Sequence, residues 1–129
     1  QGFMKQQIDS MAMEQVVRAD IDGDGQREVF LSFGSQSFGY NRTKKRSQQE
    51  YFAYLLMRRV HPQSGTLQTT VLDTRESGRV VVAGLCDLDG DGRAEIITQH
   101  YGIDDIGADL WRWVAGKPKR VGEGWWSGA

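Results

Sequence analysis

At 129 residues the chain has the size of one domain, and with 39% hydrophobic and 26% charged residues it has the composition of a globular protein. A formal net charge of −1 offers nucleic acid no general attraction, and no apolar run approaches the ~20 residues that cross a bilayer as a helix. The single cysteine, Cys86, excludes an intrachain disulfide and reads as a small buried thiol.

Along the chain, residues 1–12 carry Phe3, Met4, Ile8 and Met11 at near-helical spacing and are expected to form a short N-terminal arm. Val16 to Ala19 leads into the run Asp20-Ile21-Asp22-Gly23-Asp24-Gly25-Gln26-Arg27-Glu28, and Glu28 to Phe33 leads out of it. Both flanks are β-branched or aromatic and bounded by Gly and Asp, which predicts strands. Arg42, Lys44, Lys45 and Arg46 then form a basic cluster among polar residues, expected to be a solvated loop. Tyr51 to Val60 and Leu67 to Asp73 are β-prone runs on either side of a turn at His61-Pro62-Gln63-Ser64-Gly65. The first of them alternates poorly, so periodicity alone leaves a helix open there.

The same order then recurs. Val82 to Leu85 precedes Asp87-Leu88-Asp89-Gly90-Asp91-Gly92-Arg93-Ala94-Glu95, offset by 67 residues from the first copy, and Glu95 to His100 follows it. Asp109 to Val114 and Lys119 to Trp126 complete the second unit around a turn at Ala115-Gly116-Lys117-Pro118. The prediction is a mainly β domain over 1–129, made of two related four-stranded antiparallel units at about 13–74 and 80–126.

The repeated nine-residue run has the chemistry of a calcium loop. Calcium takes six to eight oxygen ligands at about 2.3–2.6 Å. Asp at loop positions 1, 3 and 5 can turn three carboxylates inward around a bend that Gly at positions 4 and 6 permits. The position-7 carbonyl, of Gln26 or Arg93, would face the ion, and the position-9 carboxylate, Glu28 or Glu95, would close the shell. Magnesium demands a stricter octahedron, and zinc would want His or Cys, which neither loop contains. An EF-hand is excluded, because position 12 is Leu31 or Thr98 instead of Glu and the flanks are β-like.

Asp-x-Asp-Gly-Asp-Gly-x-x-Glu between two strands resembles the FG-GAP/VCBS calcium-binding repeats of integrin-α-like β-propellers, over Val16–Phe33 and Val82–His100. The resemblance implies propeller-blade-like units. It also implies two calcium sites, at Asp20, Asp22, Asp24, Gln26 and Glu28, and at Asp87, Asp89, Asp91, Arg93 and Glu95. Two units cannot close a ring of four to eight blades. The expected form is therefore a small self-standing β domain, with a homodimer as one way to cover open strand edges. A piece of a longer propeller is the alternative.

Trp111, Trp113, Trp125 and Trp126 all lie late in the chain; alternation places the first two on one face and the last two on opposite faces. They are candidates for a partner-binding platform, with core packing as the other reading. His100 near Asp104 and Asp105 hints at acid–base chemistry, although a solvated loop accounts for the same residues. No Ser-His-Asp order, phosphate-binding Gly loop or zinc signature is present. The functional expectation is a non-catalytic, calcium-binding extracytoplasmic module that binds a protein partner, of adhesion or of inhibitor and immunity type. Two alternatives are a lectin-like module stacking glycans on the tryptophans and a fragment of a secreted hydrolase.

Overall fold

The computed structural model describes residues 11–35, 52–75, 78–102 and 105–127. Regular structure among them is entirely β: β1 (Met11–Ala19), β2 (Glu28–Ser35), β3 (Ala53–Val60), β4 (Leu67–Arg75), β5 (Arg79–Cys86), β6 (Glu95–Tyr101), β7 (Asp105–Val114) and β8 (Lys117–Ser127). They form two antiparallel four-stranded meanders, ordered β1-β2-β3-β4 and β5-β6-β7-β8. No helix of the described residues is long and apolar enough to cross a membrane. The basic cluster at 42–46 and most of the expected N-terminal arm fall outside the described residues. Met11 and Ala12, at the end of the expected arm, instead pair with Ser35 and Gly34 as the start of β1.

The weak alternation of the third segment has a simple cause. In β3, Ala53, Leu55 and Met57 face inward and are fully buried. Outward-facing Leu56 belongs to an apolar row, Val16–Leu31–Leu56–Val71, that runs across all four strands of the first sheet. Apolar residues on both faces hide a period of two from a sequence reading.

The two sheets share one core. Phe30, Leu55, Met57 and Leu72 of the first sheet pack with Val80, Val82 and Ile96 of the second, and Ile21 from the first loop joins them. A polar clasp fixes the contact: the Gln15 side-chain amide donates to the Val82 carbonyl at 2.9 Å, and the Val82 N–H donates back to Gln15 Oε1 at 2.8 Å. Beside it, Arg79 donates to Glu14 at 3.0 Å.

Every edge strand carries a one-residue bulge, at Glu14 in β1, Leu72 in β4, Ala83 in β5 and Val121 in β8. A bulge twists an edge away from further pairing, which guards an open sheet against uncontrolled association. These bulges also aim side chains. The extra Glu14 shifts the alternation of β1, so that Gln15 stands opposite buried Ser32 and faces the second sheet. Leu72 is itself buried in the core.

The last hairpin is tighter than the sequence suggests. Its turn is Ala115-Gly116 alone, with φ of 52° and 82°, while Lys117 already pairs with Val114 and Pro118 with Trp113. Two successive residues with positive φ make the two-residue turn that matches strand twist, and β8, as an edge strand, tolerates a proline without an N–H.

Candidate metal centre

The two acidic loops occupy the β1–β2 and β5–β6 connections, and they fold alike. In the first, Asp20 accepts the N–H groups of Gly23 at 2.8 Å and Gly25 at 2.9 Å, one on each oxygen. Asp22 accepts from Asp24 at 3.1 Å, and Asp24 from Gln26 at 2.7 Å. The second loop repeats these bonds, and its Asp91 N–H is also shared with Asp87 at 3.1 Å. Asp87 accepts from Gly90 and Gly92, both at 2.8 Å, Asp89 from Asp91 at 3.2 Å, and Asp91 from Arg93 at 2.8 Å. The glycines at positions 4 and 6 have φ between 75° and 85°, left-handed values that a side chain would strain.

Position 9 closes each loop from below. Glu28 accepts the Ile21 N–H at 2.8 Å, and Glu95 accepts the Leu88 N–H at 2.6 Å. Both glutamates are buried beneath their loops. The carboxylates of Asp20, Asp22, Asp24 and Glu28 each bring one oxygen within 4.8 Å of the others, and those of Asp87, Asp89, Asp91 and Glu95 do the same. Opposed ligands of an ion at about 2.4 Å stand roughly that far apart. The side-chain donor set is oxygen only, which fits a hard cation and gives zinc or copper no nitrogen or sulfur.

The electrostatics of the loops are those of crowded anions. Burial pushes Glu28 up to about 6, the Ile21 N–H opposes the shift, and the charges of Asp22 and Asp24 add to it. Burial likewise raises Asp22. Asp87 is held below the usual carboxylate range by the N–H groups of Gly92 and then Gly90.

Neither loop stands alone, and sequence reasoning missed its neighbours. Arg59 on β3 donates to Asp22 Oδ2 at 2.9 Å. Arg112 on β7 lies 3.3 Å from Glu95 Oε1 and 3.7 Å from Asp89 Oδ2. These two arginines are topological equivalents. Arg58 pairs with Val29 and Trp111 with Ile96, so the next residue on each third strand stands beside the position-9 glutamate. The 67-residue repeat conceals the equivalence, because connections of different length separate the second and third strands of the two sheets. A third arginine crosses between the loops: the side chain of Arg93 lies against Gly23, where an added Cβ would be 3.1 Å from Nε. Position 7 of the second loop therefore packs on the first.

Trp111 and Trp113 share a face, as alternation predicts, and that face is half-buried against the core. The Trp111 indole donates to Thr98 Oγ1 at 2.9 Å, and the Arg59 guanidinium stacks 4.7 Å from the Trp113 ring centre. Trp125 is the displayed tryptophan, 71% exposed on β8, and Trp126 beside it pairs with Ile106. His100 turns to buried Asp109, 3.9 Å away, where Arg75 at 3.2 Å and Arg120 at 3.9 Å also converge. Asp104 lies outside the described residues, and Asp105 is exposed, with its carbonyl accepting the Gly102 N–H at 2.8 Å. His61 acts as a turn residue, its Nδ1 accepting the N–H groups of Gln63 and Ser64.

No protein-family model matches the chain, and no curated protein or solved structure matches it either.

Proposed function

We propose that this chain is a non-catalytic, calcium-stabilised β module of the FG-GAP/VCBS kind, working outside the cytoplasm and offering its sheets to a protein partner. The observation that carries the reading is the pair of all-oxygen clusters, each preformed by the same set of backbone N–H bonds. Carboxylates already tethered in this way lose little freedom when an ion arrives, while their mutual repulsion favours its arrival. Placement of each cluster between the first two strands of a four-stranded meander supports the likeness to a propeller blade. Extracytoplasmic calcium is abundant enough to fill loops whose role is structural. For the partner, the support is the outward apolar row of the first sheet, whose end residues Val16 and Val71 are both exposed. It adjoins a groove of about 330 Å³ lined by Arg27, Val29, Leu31, Arg58 and Leu67 among others. Apolar area rimmed by arginines suits a protein surface better than a glycan.

Calorimetric titration of the metal-free chain with calcium tests the reading, with magnesium as the competitor. The expected stoichiometry is two calcium ions per chain, with magnesium a poor substitute. Absence of binding at millimolar calcium would remove the basis of the proposal. Capture of a partner by the immobilised chain is expected in calcium and not in EGTA.

A further inference from the structure

We propose that the two loops are unequal metal sites, the second binding its cation more tightly because built-in guanidinium groups oppose binding in the first. The inference rests on the reading of both clusters as calcium sites.

The inequality lies in the surroundings. At the first loop the Asp22–Arg59 pair is nearly closed to solvent, with side-chain exposures of 5% and 11%. Arg59 is held at both ends, by Asp22 Oδ2 at 2.9 Å and by its stack on Trp113. Among the described residues its Nε is already a buried donor without a partner. An ion that takes Asp22 Oδ2 leaves a further donor of the same group unmatched, and the stack keeps the guanidinium from swinging into water. Arg93 adds a second guanidinium against the same loop, at Gly23. At the second loop the equivalent pair is open and loose. Arg112 and Asp89 are both 38% exposed and 3.7 Å apart; Arg112 also donates to Glu95 Oε1, but over a long 3.3 Å bond, so its half-exposed guanidinium can swing into solvent when an ion enters.

An ion on Asp22 Oδ2 would sit about 5 Å from the Arg59 guanidinium, adding about 2.4 Å for the metal–oxygen bond to the observed contact. Even at the dielectric of bulk water, a divalent and a single positive charge at that distance repel by an amount equivalent to about tenfold in affinity. Burial strengthens the attraction of the carboxylates for any cation, but it strengthens this repulsion equally. Loops with the same four carboxylates at the same spacing thus bind unequally because the third strand of one sheet, and not of the other, locks its arginine in place.

Calcium titration of single-site variants of the whole chain tests the inference. In Asp91→Ala only the first loop is competent, and in Asp24→Ala only the second. The first loop is expected to show a dissociation constant about tenfold larger. Adding Arg59→Gln to Asp91→Ala should tighten the remaining site about tenfold, whereas Arg59→Lys, which keeps the charge, should not. Arg93→Ala in the same background, at an exposed position that cannot disturb the core, should tighten it by a smaller factor. Equal affinities in the two single-site variants, or an unchanged or weakened first site after both Arg59→Gln and Arg93→Ala, would overturn the inference and leave the calcium reading standing. No calcium binding in either single-site variant or in the parent chain would overturn both.

Discussion

Replacing Asp24 by asparagine should change the stability of this protein in opposite directions with and without calcium. Asparagine keeps an oxygen to accept the Gln26 N–H and removes only the charge. Without metal, Asp24 faces three other carboxylates whose oxygens lie within 4.8 Å. Two charges at that separation repel by about 1 kcal/mol in water and by about 3 kcal/mol at an effective dielectric near 20. Asp24 is exposed, so the lower figure applies and Asp24→Asn should stabilise the metal-free fold by about 1 kcal/mol. With calcium in hundredfold excess over the dissociation constant, each occupied site contributes about 2.7 kcal/mol, much of which the variant forfeits at its first loop. Unfolding a 129-residue chain carries roughly 0.27 kcal/mol/K of entropy, so 1 kcal/mol moves the melting temperature by about 4 °C. Thermal unfolding in EGTA should therefore place the variant about 4 °C above the parent, and unfolding in calcium should place it several degrees below. Asp91→Asn should behave alike at the second loop. A shift of the same sign in both buffers would refute the argument, because it would mean that the carboxylate acts as a turn former and not as a ligand.

Three further outcomes follow from other parts of the molecule. Glu28 is raised from 4.5 to about 6 in the fold, so the folded metal-free chain holds that proton more tightly than the unfolded one. The resulting stability is complete below pH 4.5 and lost as pH rises through about 6; it amounts to about 2 kcal/mol in urea unfolding, and Glu28→Gln should abolish that part of the pH dependence. Gln15→Ala strands the Val82 N–H and carbonyl at the contact between the sheets and should cost about 1–3 kcal/mol by denaturant titration; a neutral result would show that water replaces the clasp. Ala115 holds φ at 52°, so Ala115→Asn, which tolerates that conformation next to Gly116, should raise stability by about 1 kcal/mol, and a loss would contradict the turn geometry.

What could be read from the residues alone is what depends on near neighbours. The loops between Asp20 and Glu28 and between Asp87 and Glu95 close through hydrogen bonds spanning two to seven residues, so their spacing contains most of their geometry. Strand positions followed from β-branched and aromatic runs, and the division into two four-stranded units followed from the repeat. The tertiary structure decided what depends on register between distant strands. Edge bulges at Glu14, Leu72, Ala83 and Val121 leave no local signature, yet the one at Glu14 turns Gln15 inward to clasp Val82. Trp111 and Trp113 could line either face of a sheet until the packing of β5 against the first sheet settled which face is buried. Arg59 and Arg112 reach their loops from third strands that follow connections of unequal length, so no constant offset marks them as a pair. Alternation along one strand is a local property of the backbone, but the choice of facing residue on another strand is made only when the sheets assemble.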